Sequence, residues 1–299
     1  MSTTPVPAPP DTTSPGPAVR SSGRRRRSGD RPSWVVYGLL AAVVAGSMFP
    51  LWWSFVIASH DSTVLTRTPF PLLPGGNFLR NAASVFDTVE FWRATVNSII
   101  VSTTVSASVV FFSTLAGYAF AKLRFRGAGP LLVFVVATMA VPTQLGVVPL
   151  YQVMAELGWT GELTAVIVPG LVTAFGVFWM TQYLRQAVPT ELIEAARVDG
   201  ASMFRTFWHV GVPAARPAAA MLGLFTFVAT WTNFFWPFIV LGPSNPTLPV
   251  ALQQLQAAHY VDYSLVLAGA VLATVPLLIL FVLAGRQLVS GIMQGAVKQ

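Results

Sequence analysis

Six stretches of this chain, at about residues 34–57, 95–121, 130–154, 163–184, 217–241 and 264–288, run for more than 20 residues with almost no charged side chain. A helix of roughly 20 apolar residues crosses about 30 Å of hydrocarbon, so each stretch is long enough to span a bilayer. Only 10% of the residues are charged, against about 25% in a soluble domain. The fold class that follows is an all-α membrane protein with six transmembrane helices. Pro142, Pro149, Pro169, Pro237 and Pro276 lie inside the windows. They predict kinks, which neighbouring helices tolerate by taking up the freed backbone groups.

Lysine and arginine placement sets the orientation. With the N-terminus inside, Arg20, Arg24 to Arg27, Arg31, Lys122, Arg124, Arg126, Arg185, Arg197, Arg205, Arg216, Arg286 and Lys298 are cytoplasmic. Only Arg67, Arg80 and Arg93 fall outside, which is 3 of the 18 basic residues. Both termini are therefore expected in the cytoplasm. The pI of about 10.4 reflects this asymmetry rather than nucleic-acid binding.

Residues 1–32 are rich in Pro, Ser, Thr and Arg without an apolar period, and read as a disordered basic cytoplasmic tail. Residues 33–299 form the transmembrane domain. The first window exceeds the 7–15 residues of a signal-peptide core, so the first helix is expected to be retained. The external loop of about 58–94 fits a solvated connector with an interfacial helix, and fits contact with an external partner equally well.

Several chemistries are missing. There is no cysteine, and His60, His209 and His259 have no ligand spacing, so no metal site is expected. No phosphate-binding Gly-x-x-x-x-Gly-Lys-[Ser/Thr] motif and no catalytic signature occurs, so the chain reads as neither an ATPase nor an enzyme. The middles of the windows offer neutral polar groups such as Asn97, Ser98, Gln144, Thr173, Thr230 and Asn233, not the ionisable groups that ion-coupled carriers often use.

The polar stretch at 189–213, between the fourth and fifth windows, is predicted to form a helix–turn–helix. Thr190 is a candidate cap, and Glu191 and Glu194 suit a helix N-terminus. Asp199-Gly200 reads as a stop, and Ser202 caps a second short helix to about Val210, ahead of Pro213. Ala195, Ala196 and Ala201 permit close backbone approach. Met203, Phe204, Phe207 and Trp208 offer apolar surface. The acids argue for protein docking over an anionic leaflet.

Glu194-Ala195-Ala196-x-x-Asp199-Gly200-Ala201, with Pro213 downstream, resembles the EAA loop of permease subunits of bacterial ABC importers. Asn97-Ser98, Gly117-Tyr118-Ala119-Phe120-Ala121, Phe125-Arg126-Gly127 and Pro142-Thr143-Gln144 match the carbohydrate-importer, MalG-like branch. So do Trp231-Thr232-Asn233-Phe234-Phe235-Trp236-Pro237 and Thr247-Leu248-Pro249-Val250, together with the tail from Gly291. The likeness runs from about residue 34 to the C-terminus. It departs at Gly211-Val212, where an aliphatic residue and a leucine are usual.

The resemblance implies a multi-pass permease of the bacterial cytoplasmic membrane. Its partners would be a second permease, two ATP-binding subunits, an extracytoplasmic sugar-binding protein and the lipid bilayer, with no nucleic acid. ATP and magnesium would reside on the partners, leaving no cofactor here. Glu191, Glu194, Ala195, Ala196, Asp199, Gly200, Ala201, Met203, Phe204, Phe207 and Pro213 would seat in the ATPase, and Gly295, Ala296, Val297 and Lys298 would reach into it. Asn97, Gln144, Trp231, Asn233 and Trp236 are candidate lining for a sugar path. For the tryptophans, membrane-interface anchoring is an equal reading, and substrate contacts lying wholly on the partner permease stay open. The alternatives are a permease for a polyol or glycerol phosphate, a carrier or channel working without ATP, and a membrane enzyme or scaffold.

Overall fold

The computed structural model describes residues 34–66, 68–256 and 261–296. Among them the chain is helical with no strand, the all-α architecture expected. In order come α1 (Trp34–Ala58), α2 (Phe78–Thr88), α3 (Phe91–Lys122), α4 (Ala128–Thr138), α5 (Val147–Glu156), α6 (Thr164–Gly170) and α7 (Ala174–Ala187). They are followed by α8 (Thr190–Val198), α9 (Met203–Thr206), α10 (Val212–Trp231), α11 (Phe235–Leu241), α12 (Leu248–Gln254) and α13 (Tyr263–Ala296). Five helical runs are long and apolar enough to cross a membrane, or six if α4 and the stretch Thr143–Glu156 count as one bent span. The expected tail at residues 1–32 lies outside the described residues.

The chain divides into two units at Met48 and Phe49. The described part of the first, residues 34–48, is a stretch of α1 whose side chains are all exposed and almost all apolar. The Ser47 hydroxyl donates back to Val43 O at 2.9 Å, so its polar group is hidden along the helix.

In the second unit α3 is the central element and packs most extensively on α7 and α10. Lipid supplies no hydrophobic drive between helices, so close approach of small residues takes its place. Gly117 shows this: a Cβ there would stand 2.7 Å from Met180 Cβ and 2.8 Å from Thr181 N. Val101, Val105, Val109, Met180, Leu184 and Leu222 form the core around this crossing. A second cluster joins Val85, Phe91, Trp231, Leu248 and Ala268. Buried Thr95, Thr114 and Thr181 donate to carbonyls one turn back at 2.8, 2.6 and 2.7 Å, which satisfies them without water.

Three of the predicted windows are not single helices. In the 130–154 window, α4 stops at Thr138 and the chain re-forms as a helix at Thr143, bent by 88°. Pro142, extended at ψ 124°, disfavours helix in the residue before it and lacks an N–H. The 163–184 window breaks between α6 and α7, where Thr173 is extended and its Oγ accepts from Gly176 N at 3.1 Å. The 217–241 window breaks at 232–234, between α10 and α11. Hydropathy windows register apolar length and miss such breaks.

Candidate functional site

The polar loop folds into a hook. Pro189 sits at the N-cap of α8 with no side-chain cap bond, so Thr190 is the first helical residue and not the expected cap. Proline's fixed φ pre-sets the entry without one. At the other end Gly200 takes φ +77°, its N–H reaches Arg197 O at 3.0 Å, and Ala201 N–H reaches Ala196 O at 2.9 Å. This pair of bonds is the Schellman closure, which needs a left-handed residue where glycine stands. Ser202 then caps α9, its Oγ accepting from Arg205 N at 3.2 Å.

The second arm differs from the expected separate helix. It continues through a π turn, Phe207–Gly211, into α10, giving one helical run Met203–Trp231 of 29 residues. Val212 N–H reaches back five residues to Phe207 O, widening the turn where Pro213 supplies no N–H of its own. Gly211 leaves room for the Tyr118 ring: a Cβ would stand 2.9 Å from it.

Burial sorts the loop residues. Ile193 and Phe207 (3% exposed) face inward, and the Phe207 ring meets Tyr118 at 5.4 Å. Phe207 therefore anchors the hook to its own bundle, which corrects its expected place on an outward seat. Lys122 Nζ, donating to Arg185 O at 3.1 Å, ties α3 to α7 beside it. The outward side carries Leu192, Val198 (89% exposed), Met203, Phe204 and Trp208. Glu191, Glu194, Ala195, Asp199 and Pro213 are exposed with them, while Ala196 and Ala201 are half-buried. None of the three acids forms an ion pair with another described residue. The hook thus presents greasy residues among exposed charged ones, Glu191, Glu194, Arg197, Asp199 and Arg205, a surface suited to a protein cleft.

The second feature is a cavity of about 900 Å³. The three helix breaks meet there: Thr143 and Gln144 follow the first, Thr173 lies in the second, and Asn233 lies in the third. Thr226, Thr230, Phe175, Phe225, Phe235 and Trp236 complete its polar and aromatic lining. No lining residue is charged. Trp236 is held by its indole N–H, which donates to Ala165 O at 2.9 Å. That carbonyl is available because Pro169, four residues on, has no N–H to offer it. Gln144 and Asn233 are exposed, and neither side-chain amide bonds another described residue.

The five sugar-path candidates separate. Gln144, Asn233 and Trp236 share the cavity. Asn97 does not: it is buried and donates to Asn245 Oδ1 and Pro246 O, both at 2.9 Å, pinning α3 to the 245–246 turn. Trp231 is 3% exposed, stacks on Phe227 at 5.8 Å and donates to Ala273 O at 3.3 Å. Both are packing residues. Hydropathy gives a side chain's depth but does not say whether its polar atoms are already paired. At the far end, Gly295 and Ala296 fall in the last turn of α13, and Val297 and Lys298 lie outside the described residues.

The family model described as binding-protein-dependent transport system inner membrane component matches residues 109–292. The arabinooligosaccharides transport system permease protein AraQ of Halalkalibacterium halodurans is 30% identical over 278 residues, covering 92% of this chain and 99% of that protein. The lactose transport system permease protein LacG of Rhizobium radiobacter is 30% identical over 268 residues, 89% and 97% of the two chains. The sn-glycerol-3-phosphate transport system permease protein UgpE of Brucella abortus is 28% identical over 256 residues, 82% and 90%. A solved chain of a bacterial ABC transporter involved in the import of the acidic polysaccharide alginate shares the fold, with TM-score 0.71 at 23% identity, covering 85% of this chain and 95% of that one.

Proposed function

The chain belongs to the family of binding-protein-dependent transport system inner membrane components, and on that premise we propose that it passes a neutral sugar through the cavity between its broken helices. As a member it is a multi-pass inner-membrane permease of an ABC importer and carries neither catalytic machinery nor cofactor. Its system includes an ATPase and a binding protein. That membership sets aside the ATP-independent carrier and the membrane enzyme.

The observation that carries the sugar reading is the uncharged lining of the 900 Å³ cavity. The volume is in the range of small-molecule sites, roughly 300–1,000 Å³. Side-chain amides and threonine hydroxyls can exchange hydrogen bonds with sugar hydroxyls, and Trp236 and Phe235 offer faces for the apolar side of a sugar ring. A phosphate would enter with no cation to meet it, and an unpaired buried charge is expensive. Arabinooligosaccharides and lactose, which the names of two relatives carry, suit such a lining. Glycerol phosphate, which another carries, does not.

Power enters through the hook. The α8–α9 surface seats in the ATPase, with Glu194 and Asp199 making polar contacts, Val198, Met203 and Phe204 the apolar ones, and residues 295–298 adding a second contact. A second permease completes the pathway. The charge count supports a cytoplasmic side for both termini and the hook. Closure of the ATPase draws the hooks together, and the run Met203–Trp231, about 43 Å long at 1.5 Å per residue, carries the movement to Thr230 and Asn233 at the cavity. Hydrolysis resets it, giving alternating access.

The test is ATPase stimulation of the assembled transporter with its binding protein in vesicles. Neutral oligosaccharides should stimulate and glycerol phosphate should not; the reverse pattern overturns the sugar reading. Glu194→Lys should release the ATPase subunit while leaving the permease folded. Normal uptake by that variant would overturn the role of the hook.

A further inference from the structure

Beyond the hook and the cavity, one apolar surface is built too firmly to be a slack connector. From Thr68 to Leu79, in the first turn of α2, the chain contains no charged residue and three prolines. Phe70, Leu72 and Leu73 point outward, 54%, 65% and 76% exposed. The base of this segment is pinned to the end of α1. Gly75 N–H donates to Ser59 Oγ at 2.7 Å, and Asn77 N–H donates to Ser59 O at 2.9 Å. Asn81, from α2, donates to Ala58 O at 2.8 Å and His60 O at 2.7 Å. Gly75 passes so close to Ser59 O and the His60 ring that no side chain fits there.

The depth of the tip is given by its ring contacts. Phe70 meets Trp53 edge-on, with ring centroids 6.2 Å apart. Trp53 lies five residues before the end of a helix long and apolar enough to cross a membrane, so it stands about 7.5 Å inside that end. The segment therefore leaves α1, turns, and folds back along it to the level of its last turns. Leu51 and Trp52 are also exposed and apolar in this part of α1. Phe78, packed on Phe55 at 5.0 Å, closes the aromatic group from the α2 side. Aromatic side chains gather where headgroups meet hydrocarbon, and apolar chains exposed at that level gain from acyl contact.

We infer that the segment at 70–73 is a membrane-interface anchor, a non-spanning wedge whose Phe70, Leu72 and Leu73 sit in the outer acyl region of the leaflet at the Ala58 end of α1. The bilayer is the occupant that this depth and these ring contacts favour. The hook's apolar residues sit among exposed charged ones, whereas this tip carries none and folds back along a membrane-length helix, which favours acyl chains over a protein cleft. Arg80, exposed one residue beyond the segment, is the nearest described cation that could meet headgroup phosphates. The anchor would fix the height of the external connection independently of which solute the cavity takes.

The chain has no cysteine, so single cysteines report cleanly. Leu73→Cys and, as the reference, Asp87→Cys are nitroxide-labelled in the assembled transporter, whose other subunits are made cysteine-free. The complex is placed in phosphatidylethanolamine–phosphatidylglycerol vesicles. At Leu73 collision with oxygen should exceed collision with a water-soluble nickel chelate, and at Asp87 the order should reverse. Nickel-dominated relaxation at both positions would show a solvated loop and overturn the anchor. Exclusion of both reagents at Leu73, or their exclusion only when the binding protein is added, would show a protein partner and overturn it equally.

Discussion

At Gly200 one dihedral angle decides whether the hook closes. Its φ of +77° costs any other L-residue, and a β-branched one the most. Gly200→Val should strain the turn by about 1–2 kcal/mol, and Gly200→Asn, which tolerates the left-handed region, by less. Co-purification of the ATPase subunit should fall with Val and persist with Asn; equal retention would show that the turn does not shape the seat. Gly117 is held by space rather than angle. Gly117→Ala drives a methyl to 2.7 Å from Met180 Cβ and 2.8 Å from backbone Thr181 N, which cannot step aside. Overpacking of this kind costs about 1–3 kcal/mol, read as a lower thermal midpoint of the detergent-solubilised complex. Much of the hook was legible in the sequence. Asp199-Gly200-Ser202 announced stop and cap because those signals are local, and the structure has both. Thr190 misled because Pro189 already fixed the entry. The inward turn of Phe207 depends on Tyr118 in a distant helix, which local signals cannot report.

Among the elements, the π turn Phe207–Gly211 is where hook and span join. Single π turns inside longer helices are uncommon and often mark functional positions. Here the wider turn lets Phe207 reach Tyr118 while α10 continues, and Gly211 keeps clear of the same ring. The pair is the contact through which the hook bears on α3. Gly211→Val would fill that space, and we expect ATP hydrolysis to continue while solute uptake per ATP falls. Purified ATPase and uptake rates in the same vesicles measure this ratio, and an unchanged ratio would mean that the joint is rigid packing. The sequence marked this place only as a departure, Gly211-Val212, because a π turn has no composition of its own. The broken windows have the same cause. Pro142 and Pro169 were visible, but whether a proline kinks a helix or ends it depends on what takes up the freed carbonyl. At Ala165 the taker is Trp236, 71 residues away.

Across the whole molecule, the run Met203–Trp231 joins the hook to the cavity, and all three broken windows contribute to the cavity's lining. Unwound backbone at membrane depth is tolerated where it lines a cavity, so the breaks and the cavity require each other. Sequence reading found Gln144, Asn233 and Trp236 there, since neutral amides and indoles in apolar windows stand out. It overlooked Thr226 and Phe225, which look like ordinary span residues, and it included Asn97 and Trp231, whose partners lie far along the chain. This division gives a test that separates lining from packing. Gln144→Leu and Asn233→Leu each remove a hydrogen-bonding amide worth about 0.5–1.5 kcal/mol, roughly a 2- to 13-fold rise in the sugar concentration needed for half-maximal transport. Protein yield should be unchanged, because neither amide is paired with another described residue. Asn97→Leu should do the opposite, lowering yield and thermal midpoint by leaving Asn245 Oδ1 and the Pro246 carbonyl without their donor while the surviving transporters keep their sugar dependence. If all three variants alter yield alone, the sugar is read by the other permease, and this chain contributes the drive and the walls.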